Sequence, residues 1–250
     1  EAQRAPVIQK DGPMIVIAGA GSGKTRVLTV RIANLMSQGV DSFNILALTF
    51  TNKAAREMKK RIADIVGNNE AKNLWMGTFH SIFGRMLRID SDKIGFTRNF
   101  TIYDSADSLN LIKSIIKELN LNDDYYKPKA VCARISSAKN NLITAEAYAQ
   151  NSDYLIEDEK ENRKHFSTVF TKYSQRCRQS NVMDFDDLLV YTNILFKLHK
   201  DVLEKYRDRF SYILVDEYQD TNFAQYLIIK RLSEIHRKLC VVGDDSQSIY

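Results

Sequence analysis

Residues 18–25 read AGAGSGKT and place three glycines, a lysine and a threonine directly after a short apolar run. That run, residues 14–17, predicts a strand, and the spacing of Leu28, Ile32 and Leu35 predicts a helix that follows the loop. Glycines let successive backbone N–H groups turn towards an anion, and the N-terminus of the following helix adds its positive dipole end. A strand, a glycine-rich turn and a helix in this order predict a phosphate-binding P-loop in an α/β fold.

The loop divides its chemistry between backbone and side chains. Lys24 is expected to reach the terminal phosphates, and the Thr25 hydroxyl is expected to ligate Mg²⁺. Ala18 stands where such loops usually begin with Gly, which is a small departure because the glycines keep the turn flexible. The predicted nucleotide contacts of the loop are Ala18, Gly19, Ala20, Gly21, Ser22, Gly23, Lys24 and Thr25.

Further apolar runs predict the rest of a parallel sheet. Residues 45–49 are a near-continuous apolar stretch, as expected of a strand buried on both faces, and residues 74–78 predict a third short strand. Residues 212–215 form another such run and lead into Asp216-Glu217, the pattern of a Walker B strand. In that pattern Asp216 holds Mg²⁺ through its water shell, and Glu217 polarises the attacking water as a general base.

The middle of the chain has a different pattern of apolar residues. Between residues 82 and 183 helical patterns dominate and strand signals nearly vanish. Asp216 follows Lys24 by 192 positions, a gap that a minimal P-loop domain does not need. We therefore interpret residues 82–183 as an inserted, all-helical subdomain.

The net charge, the cysteines and the lengths of the apolar runs indicate which partners and compartments suit the chain. The 250 residues carry a net charge of +5, from 36 Lys+Arg against 31 Asp+Glu, which suits an anionic partner without proving one. Cys132, Cys177 and Cys240 are widely separated, which favours a reducing compartment over a disulfide framework or a metal site. No apolar run approaches the ~20 residues of a membrane span, and no signal-peptide core is recognisable.

Two features of the sequence can be explained by structure alone, without a functional role. Phe50 lies at the C-terminal end of a predicted strand, where open α/β sheets place ligands, but it could equally be a core aromatic. Asp184 and Asp187 have the spacing of a helix N-cap and its third residue, so capping alone could explain both carboxylates.

Seven segments in order resemble the N-terminal half of UvrD/Rep/PcrA-type superfamily 1 DNA helicases. The segments are Gln3, AGAGSGKT at 18–25, TFTNKAA at 49–55, GTFHS at 77–81, DFDDLL at 184–189, VDEYQDTN at 215–222 and VVGDDSQSIY at 241–250. The resemblance implies a RecA-like P-loop NTPase sheet flanked by helices, called motor domain 1A, from residues 1–81 and 184–250. It assigns the helical insertion, 82–183, to domain 1B.

The resemblance also implies roles for individual residues. Gln3 would read the adenine edge, Arg26 would lie near the nucleotide, and Gln247 would sense the γ-phosphate. Stacking on bases is independent of sequence, because every base has a π-face. The residues implied to contact DNA are Phe50, Asn52, Thr78, His80 and Tyr250.

The implied activity is ATP-dependent 3′-to-5′ translocation on single-stranded DNA, with ATP and Mg²⁺ as cofactors. The implied partners are single-stranded DNA, junctions of single- and double-stranded DNA, and the second half of the same protein, domains 2A and 2B. The resemblance places the protein in the bacterial cytoplasm, at the nucleoid and without a membrane.

The chain begins with Glu1 rather than Met and ends inside a motif, so we expect it to be part of a longer protein. Arginine fingers from the second half are worth ~10³–10⁵ in turnover. We therefore expect the 250 residues by themselves to bind ATP·Mg²⁺ weakly, to hydrolyse it very slowly and not to unwind duplex DNA.

Three alternatives remain at this point. The chain could belong to a RecB- or AddA-like helicase–nuclease, which a nuclease motif further along the parent chain would decide. It could be a DNA-binding scaffold with a vestigial nucleotide site, although Lys24, Thr25, Asp216 and Glu217 are all present. A nucleotide kinase would explain the P-loop but not TFTNKAA or QSIY.

Overall fold

The computed structural model describes residues 3–19, 21–122 and 124–244. Contacts divide them into two compact units. The first holds the described parts of 1–85, 195–221 and 225–250, and the second holds those of 86–194 and 222–224. Residues 86–183 of the predicted insertion fall within the second unit. The assignment of residues 82–183 to a separate domain stays a prediction.

The elements alternate between strands and helices in the manner of an α/β chain. The strands are β1 Met14–Ile17, β2 Ile45–Thr49, β3 Trp75–Thr78, β4 Thr101–Ile102, β5 Val182–Met183, β6 Tyr212–Val215 and β7 Leu239–Gly243. The helices are α1 Ala5–Ile8, α2 Lys24–Ser37, α3 Asn52–Val66, α4 Asn68–Lys72, α5 Phe79–Asp90, α6 Ser105–Glu118, α7 Pro128–Asn140, α8 Ala145–Ala149, α9 Ser152–Lys160, α10 Phe166–Gln179, α11 Phe185–Leu198, α12 Lys200–Arg209 and α13 Phe223–Ser233. Short 3₁₀ segments lie at Ser42–Asn44, Ser91–Ile94 and Tyr218–Asp220.

The first unit is built on a parallel sheet of order β1-β7-β6-β2-β3. Each residue of β2 and β6 is buried, which explains their near-continuous apolar sequences. The α/β parallel sheet flanked by helices is therefore confirmed. Because the five strands are parallel, their C-terminal ends lie along one edge of the sheet, the usual position of ligands in such folds.

Helices α2 and α3 cover one face of this sheet. Leu28 and Ile32 of α2 and Met58 of α3 share one buried cluster with Ala47 and Leu214 of the strands. At roughly 1.5–3 kcal/mol for each large apolar side chain buried, this layer holds the P-loop helix firmly on the sheet. At the β1 edge, by contrast, Ile15 and Ile17 are 70% and 62% exposed among the described residues.

The second unit is mainly helical. Its core joins α6, α7, α8 and α10 through aromatic and aliphatic side chains. The α10 stripe predicted from the sequence lies wholly inside it, consisting of Phe166, Val169, Phe170, Tyr173 and Cys177. The expectation of an all-helical insertion needs one correction, because β4 and β5 pair in parallel as Thr101 with Val182 and Ile102 with Met183. A ladder of two residues is too short to leave a periodic signal.

Capping explains where several helices begin. The hydroxyl of Thr51 accepts the Ala54 N–H at 3.1 Å and starts α3. At α11, Asp184 and Asp187 exchange backbone-to-carboxylate hydrogen bonds of 2.8 and 3.1 Å, so the predicted capping interaction is confirmed. Among the described residues no helix combines the length and the apolar character needed to cross a membrane.

Candidate functional site

The phosphate loop connects the end of β1 to α2. The Ala18 N–H donates to the Gly243 carbonyl at 3.1 Å, which continues the β1–β7 ladder into the loop. Gly21 and Gly23 have φ values of 75° and 87°, a region that side-chain-bearing residues rarely adopt. At Gly23 a β-carbon would also lie 3.0 Å from the Gln3 amide nitrogen. The loop therefore requires glycine there for both conformation and space.

Lys24 is the first residue of α2, and it is only 8% exposed. Its Nζ lies 3.1 Å from a carboxylate oxygen of Asp244, the residue directly after β7. The two residues are 220 positions apart and meet because β7 lies beside β1 in the sheet. The lysine thus lies at the C-terminal edge of the sheet, beside the loop whose amides would cradle a phosphate.

Thr25 and Asp216 bring the P-loop and the Walker B strand together. The Thr25 hydroxyl donates to Asp216 Oδ2 at 3.2 Å across 191 positions of sequence. The other carboxylate oxygen of Asp216 accepts the Glu217 N–H at 3.2 Å. Burial raises the pKa of Asp216, the charge of Glu217 raises it further, and the Thr25 hydroxyl and Lys24 oppose this.

The oxygen pair of Thr25 and Asp216 fits a magnesium site. Mg²⁺ prefers hard oxygen ligands and is bound by one or two protein groups together with substrate phosphates and water. A hydroxyl and a buried carboxylate at the mouth of a phosphate loop form such a donor set, and a cation would offset the unfavourable burial of the Asp216 charge. Among the described residues no group of three or more His, Cys, Asp or Glu side chains is arranged to hold a metal.

Glu217 is held by a neighbour that sequence reasoning did not single out. Gln219 Nε2 donates to Glu217 Oε2 at 2.7 Å, and Gln219 Oε1 accepts the Asp244 N–H at 3.1 Å. Glu217 itself has a φ of 51°, an uncommon conformation for a side-chain-bearing residue that recurs at functional sites. Gln219 therefore links the Glu217 carboxylate to the backbone N–H of Asp244, directly after β7.

Gln3 lies against the phosphate loop from the other side. Its amide nitrogen donates to the Ser22 carbonyl at 2.7 Å. A surface groove of about 370 Å³ opens beside it, lined by Gln3, Arg4, Val7, Arg26, Val27 and Val30. Two arginines and a glutamine around an apolar floor suit a planar heterocycle attached to a phosphate chain.

Four of the five residues predicted to contact DNA lie at or just after the C-terminal ends of β2 and β3. Phe50 is half-buried and packs on the buried ring of Phe79 at a centroid distance of 5.4 Å. Asn52 is exposed at the start of α3, and His80 is half-buried in α5. Thr78 is nearly buried, and its hydroxyl accepts the Ser81 N–H at 3.2 Å at the start of α5.

The N-terminal domain family of UvrD/REP helicases matches residues 1–250. The chain belongs to this family. It is 48% identical over 253 residues to the ATP-dependent DNA helicase PcrA of Bacillus subtilis (strain 168), covering 99% of this chain and 33% of that protein. Identity is 46% to the PcrA of Staphylococcus aureus (strain Mu50 / ATCC 700699) and 44% to that of Leuconostoc citreum, with 99% of this chain covered in each case. The chain thus spans about a third of the length of these relatives.

The sequence of this UvrD/REP-type chain did not lead us to assign Asp244 and Gln219 to the site, although each lies in a segment that carried the resemblance. The available signal was positional: Asp244 directly follows an apolar run, and Gln219 lies two residues after Glu217. Ala20, Gln247 and Tyr250, for which nucleotide or DNA roles were predicted, lie outside the described residues. The described residues of the loop follow the C-terminal end of β1, and Asp216 and Glu217 follow that of β6. Arg26 lies in the first turn of α2, and Gln3 contacts the loop at Ser22.

Proposed function

We propose that this chain is the ATP-binding N-terminal part of an ATP-dependent DNA helicase that translocates 3′ to 5′ along single-stranded DNA. One observation carries the nucleotide part of the proposal: the 3.2 Å contact between Thr25 and Asp216, which joins the P-loop to the Walker B strand. A glycine-rich turn or an acidic strand end alone would be weak support. Their contact in one partly buried site at the C-terminal edge of the sheet is an arrangement that nucleotide hydrolysis requires.

The roles follow from the positions of the charges. The loop amides and Lys24 would bind the terminal phosphates of ATP, and Thr25 and Asp216 would hold Mg²⁺. The metal would neutralise charge that develops on the phosphates. Glu217 would accept a proton from the attacking water, with its carboxylate oriented by Gln219 at 2.7 Å.

The DNA part rests on the strand order. Phe50 and Asn52 follow β2, while Thr78 and His80 lie at the end of β3, so their elements end on the same sheet edge as the nucleotide residues. Phe50 would stack on a base, and each such stack contributes ~1–3 kcal/mol. Nearby helix termini and polar side chains would position the strand through its phosphates.

The unit with the five-stranded sheet corresponds in this proposal to motor domain 1A, and the mainly helical unit to domain 1B. A further part of the protein, domains 2A and 2B, would complete the ATP site with arginine fingers and extend the DNA grip. The 250 residues by themselves would then bind ATP·Mg²⁺ weakly and fail to unwind DNA. The relatives are bacterial, and we propose action on chromosomal DNA in the cytoplasm.

Replacing Lys24 tests the nucleotide site. We expect Lys24→Ala to abolish ATP·Mg²⁺ binding by calorimetry, because the phosphates lose their principal cation. The change also leaves Asp244 buried without its partner, so the double variant Lys24→Ala/Asp244→Asn is the control for folding. ATP affinity that is unchanged in a folded Lys24→Ala protein would overturn the assignment.

A further inference from the structure

Helix α1 lies where the proposed adenine site begins, yet it has little to hold it in place. It spans only Ala5–Ile8 and contributes no buried residue. A single helical turn is not stable in water without tertiary support. Something other than hydrophobic burial must therefore fix the position of the segment that carries Gln3 and Arg4.

Arg31 of the P-loop helix supplies two of the hydrogen bonds that hold this segment. The residue is only 2% exposed, and its Nη1 donates to the carbonyls of Pro6 and Gln9 at 2.6 and 2.5 Å. Within the described residues no carboxylate pairs with Arg31. Burying an arginine whose charge has no carboxylate partner costs free energy, which its hydrogen bonds must offset. The two carbonyls that accept from Arg31 belong to the C-terminal turn of α1, where unpaired carbonyls and the helix dipole attract cations.

Asn34 completes the attachment one turn further along α2. Its Nδ2 donates to the Val7 carbonyl at 3.0 Å. Side chains of α2 thus take the place of a C-terminal cap for α1, and both helices line the groove beside the phosphate loop through Val7, Val27 and Val30. The segment before the sheet is therefore attached to the helix that also begins with Lys24.

We propose that Arg31, assisted by Asn34, is a positioning residue that holds the base-recognition segment at a fixed distance from the P-loop. This inference rests on the proposed nucleotide site and deepens it. Gln3 can read a base only if its position relative to the phosphates is constant, and the polar attachment of α1 to α2 provides that constancy. Arg31 contacts neither the phosphates nor the base, so its effect is confined to base-dependent affinity.

The test compares three ligands in the full-length protein: ATP, GTP and inorganic tripolyphosphate, each with Mg²⁺, by calorimetry. Arg31→Met is expected to weaken ATP binding about tenfold or more, since two charge-assisted hydrogen bonds are lost. The ratio of ATP to GTP affinity should fall towards one, while tripolyphosphate affinity stays unchanged. Amide hydrogen exchange in residues 5–9 should accelerate.

Matched variants separate positioning from other effects. Gln3→Ala should also lose base discrimination but accelerate hydrogen exchange of residues 5–9 less than Arg31→Met does, since Gln3 bonds to the Ser22 carbonyl and not to α1. Ser37→Ala should change neither, because among the described residues its hydroxyl bonds to the Asn34 carbonyl within α2. Asn34→Ala repeats the test with a milder expected loss and decides it if Arg31→Met does not fold.

Two results would overturn the inference: unchanged ATP affinity in the folded Arg31 or Asn34 variant, or an equal loss of tripolyphosphate binding, which would mean that the P-loop itself is distorted. A wild-type protein that binds neither ATP nor tripolyphosphate would instead refute the nucleotide site, and this inference with it. A wild-type protein that binds ATP and GTP equally would show that Gln3 reads no base, which would refute this inference and leave the phosphate site standing.

Discussion

The ammonium group of Lys24 and the carboxylate of Asp244 form a buried ion pair at 3.1 Å, in the place where a nucleotide phosphate would meet the lysine. Both groups are shielded from water, so their attraction is weakly screened. A phosphate that approaches Lys24 competes with Asp244 for the same cation and is repelled by the same carboxylate. If the proposed phosphate site is correct, the residue after β7 would set part of the free energy of phosphate binding.

We expect Asp244→Asn to tighten ATP·Mg²⁺ binding, by up to about tenfold, because the neutral amide competes less for Lys24 and removes the repulsion. Calorimetry on the full-length protein measures the change. Asp220→Asn is the matched control, since Asp220 is exposed in the neighbouring 3₁₀ segment and the substitution removes one negative charge as well. Weaker binding in Asp244→Asn alone would mean that the carboxylate assists the nucleotide instead.

Gln219 offers a prediction about turnover. Its amide orients Glu217, so Gln219→Leu should lower kcat by about tenfold to a hundredfold while the KM for ATP changes little, as is typical when a residue that orients a catalytic group is lost. The measurement is steady-state ATPase activity in the presence of single-stranded DNA.

Gly243→Ala provides an independent route to the same defect. A β-carbon at this position would lie 2.9 Å from Gln219 Oε1 and would displace the amide from Glu217. Both variants should retain ATP affinity. If the Gln219→Leu protein hydrolyses ATP at the wild-type rate, the hydrogen bond to Glu217 has no part in orienting this general base.

The sheet of the first unit could be predicted from the sequence because its strands are buried on both faces. The near-continuous apolar runs at β1, β2 and β6 gave those strands within two residues of their observed bounds. The positions of Lys24, Thr25 and Asp216 at one edge followed from the parallel order. Phe50 packs with its half-buried ring against Phe79, as a core aromatic would, and its contact with DNA stays a prediction.

The partners of the charged residues could not be predicted. Asp244 meets Lys24 across 220 positions, and Lys139 meets Asp184 across 45, so neither contact leaves a local periodic signal. The attachment of α1 through Arg31 was missed for the same reason, because a lone arginine on a helix is normally exposed. Local patterns determine elements, whereas the pairing of buried charges depends on the tertiary fold.

Phe50 gives a prediction for DNA binding. Phe50→Ala should weaken binding of a labelled oligothymidine by about 1–3 kcal/mol in fluorescence anisotropy, because one base loses its stacking surface, while ATP affinity is unchanged. Phe43→Ala is the control, since Phe43 is an exposed aromatic elsewhere in the same unit. An unfolded Phe50→Ala protein, shown by thermal melting, would establish that the contact with Phe79 is the main role of this ring.

The second unit contains a buried cluster of one lysine and two carboxylates. Lys139 Nζ lies 2.6 Å from Asp184 and 2.8 Å from Asp187, and the Tyr173 hydroxyl donates to Asp184 at 2.8 Å. One cation cannot neutralise both acids. The pKa of Asp187 is raised to about 7 by burial and by the charge of Asp184, against the opposing effect of Lys139, whereas Lys139 and hydrogen bonds lower the pKa of Asp184 despite its burial.

The sign of the pH dependence follows from these directions. Between the unfolded pKa of an aspartate and about 7, the folded protein retains a proton on Asp187 that the unfolded chain has released. The contribution of Asp187 to stability is therefore fully present at low pH and is lost as pH rises towards 7, with a slope of at most about 1.4 kcal/mol per pH unit. The lowered pKa of Asp184 acts in the opposite direction, and only below its ordinary pKa.

We expect Asp187→Asn to remove this loss, so that the variant gains stability relative to the wild-type protein as pH rises from 5 to 8 in urea unfolding experiments. Asp107→Asn is the matched control, because Asp107 occupies the same third position of a capping box at α6 but is exposed and forms no ion pair with a lysine among the described residues. Parallel pH profiles of the wild-type and Asp187→Asn proteins would show that Asp187 is ionised in the folded state throughout this range. Lys139 would then stabilise both carboxylates at once, and the hydrogen bonds from Tyr173 and from the helix N-terminus would have to offset the burial of the second charge.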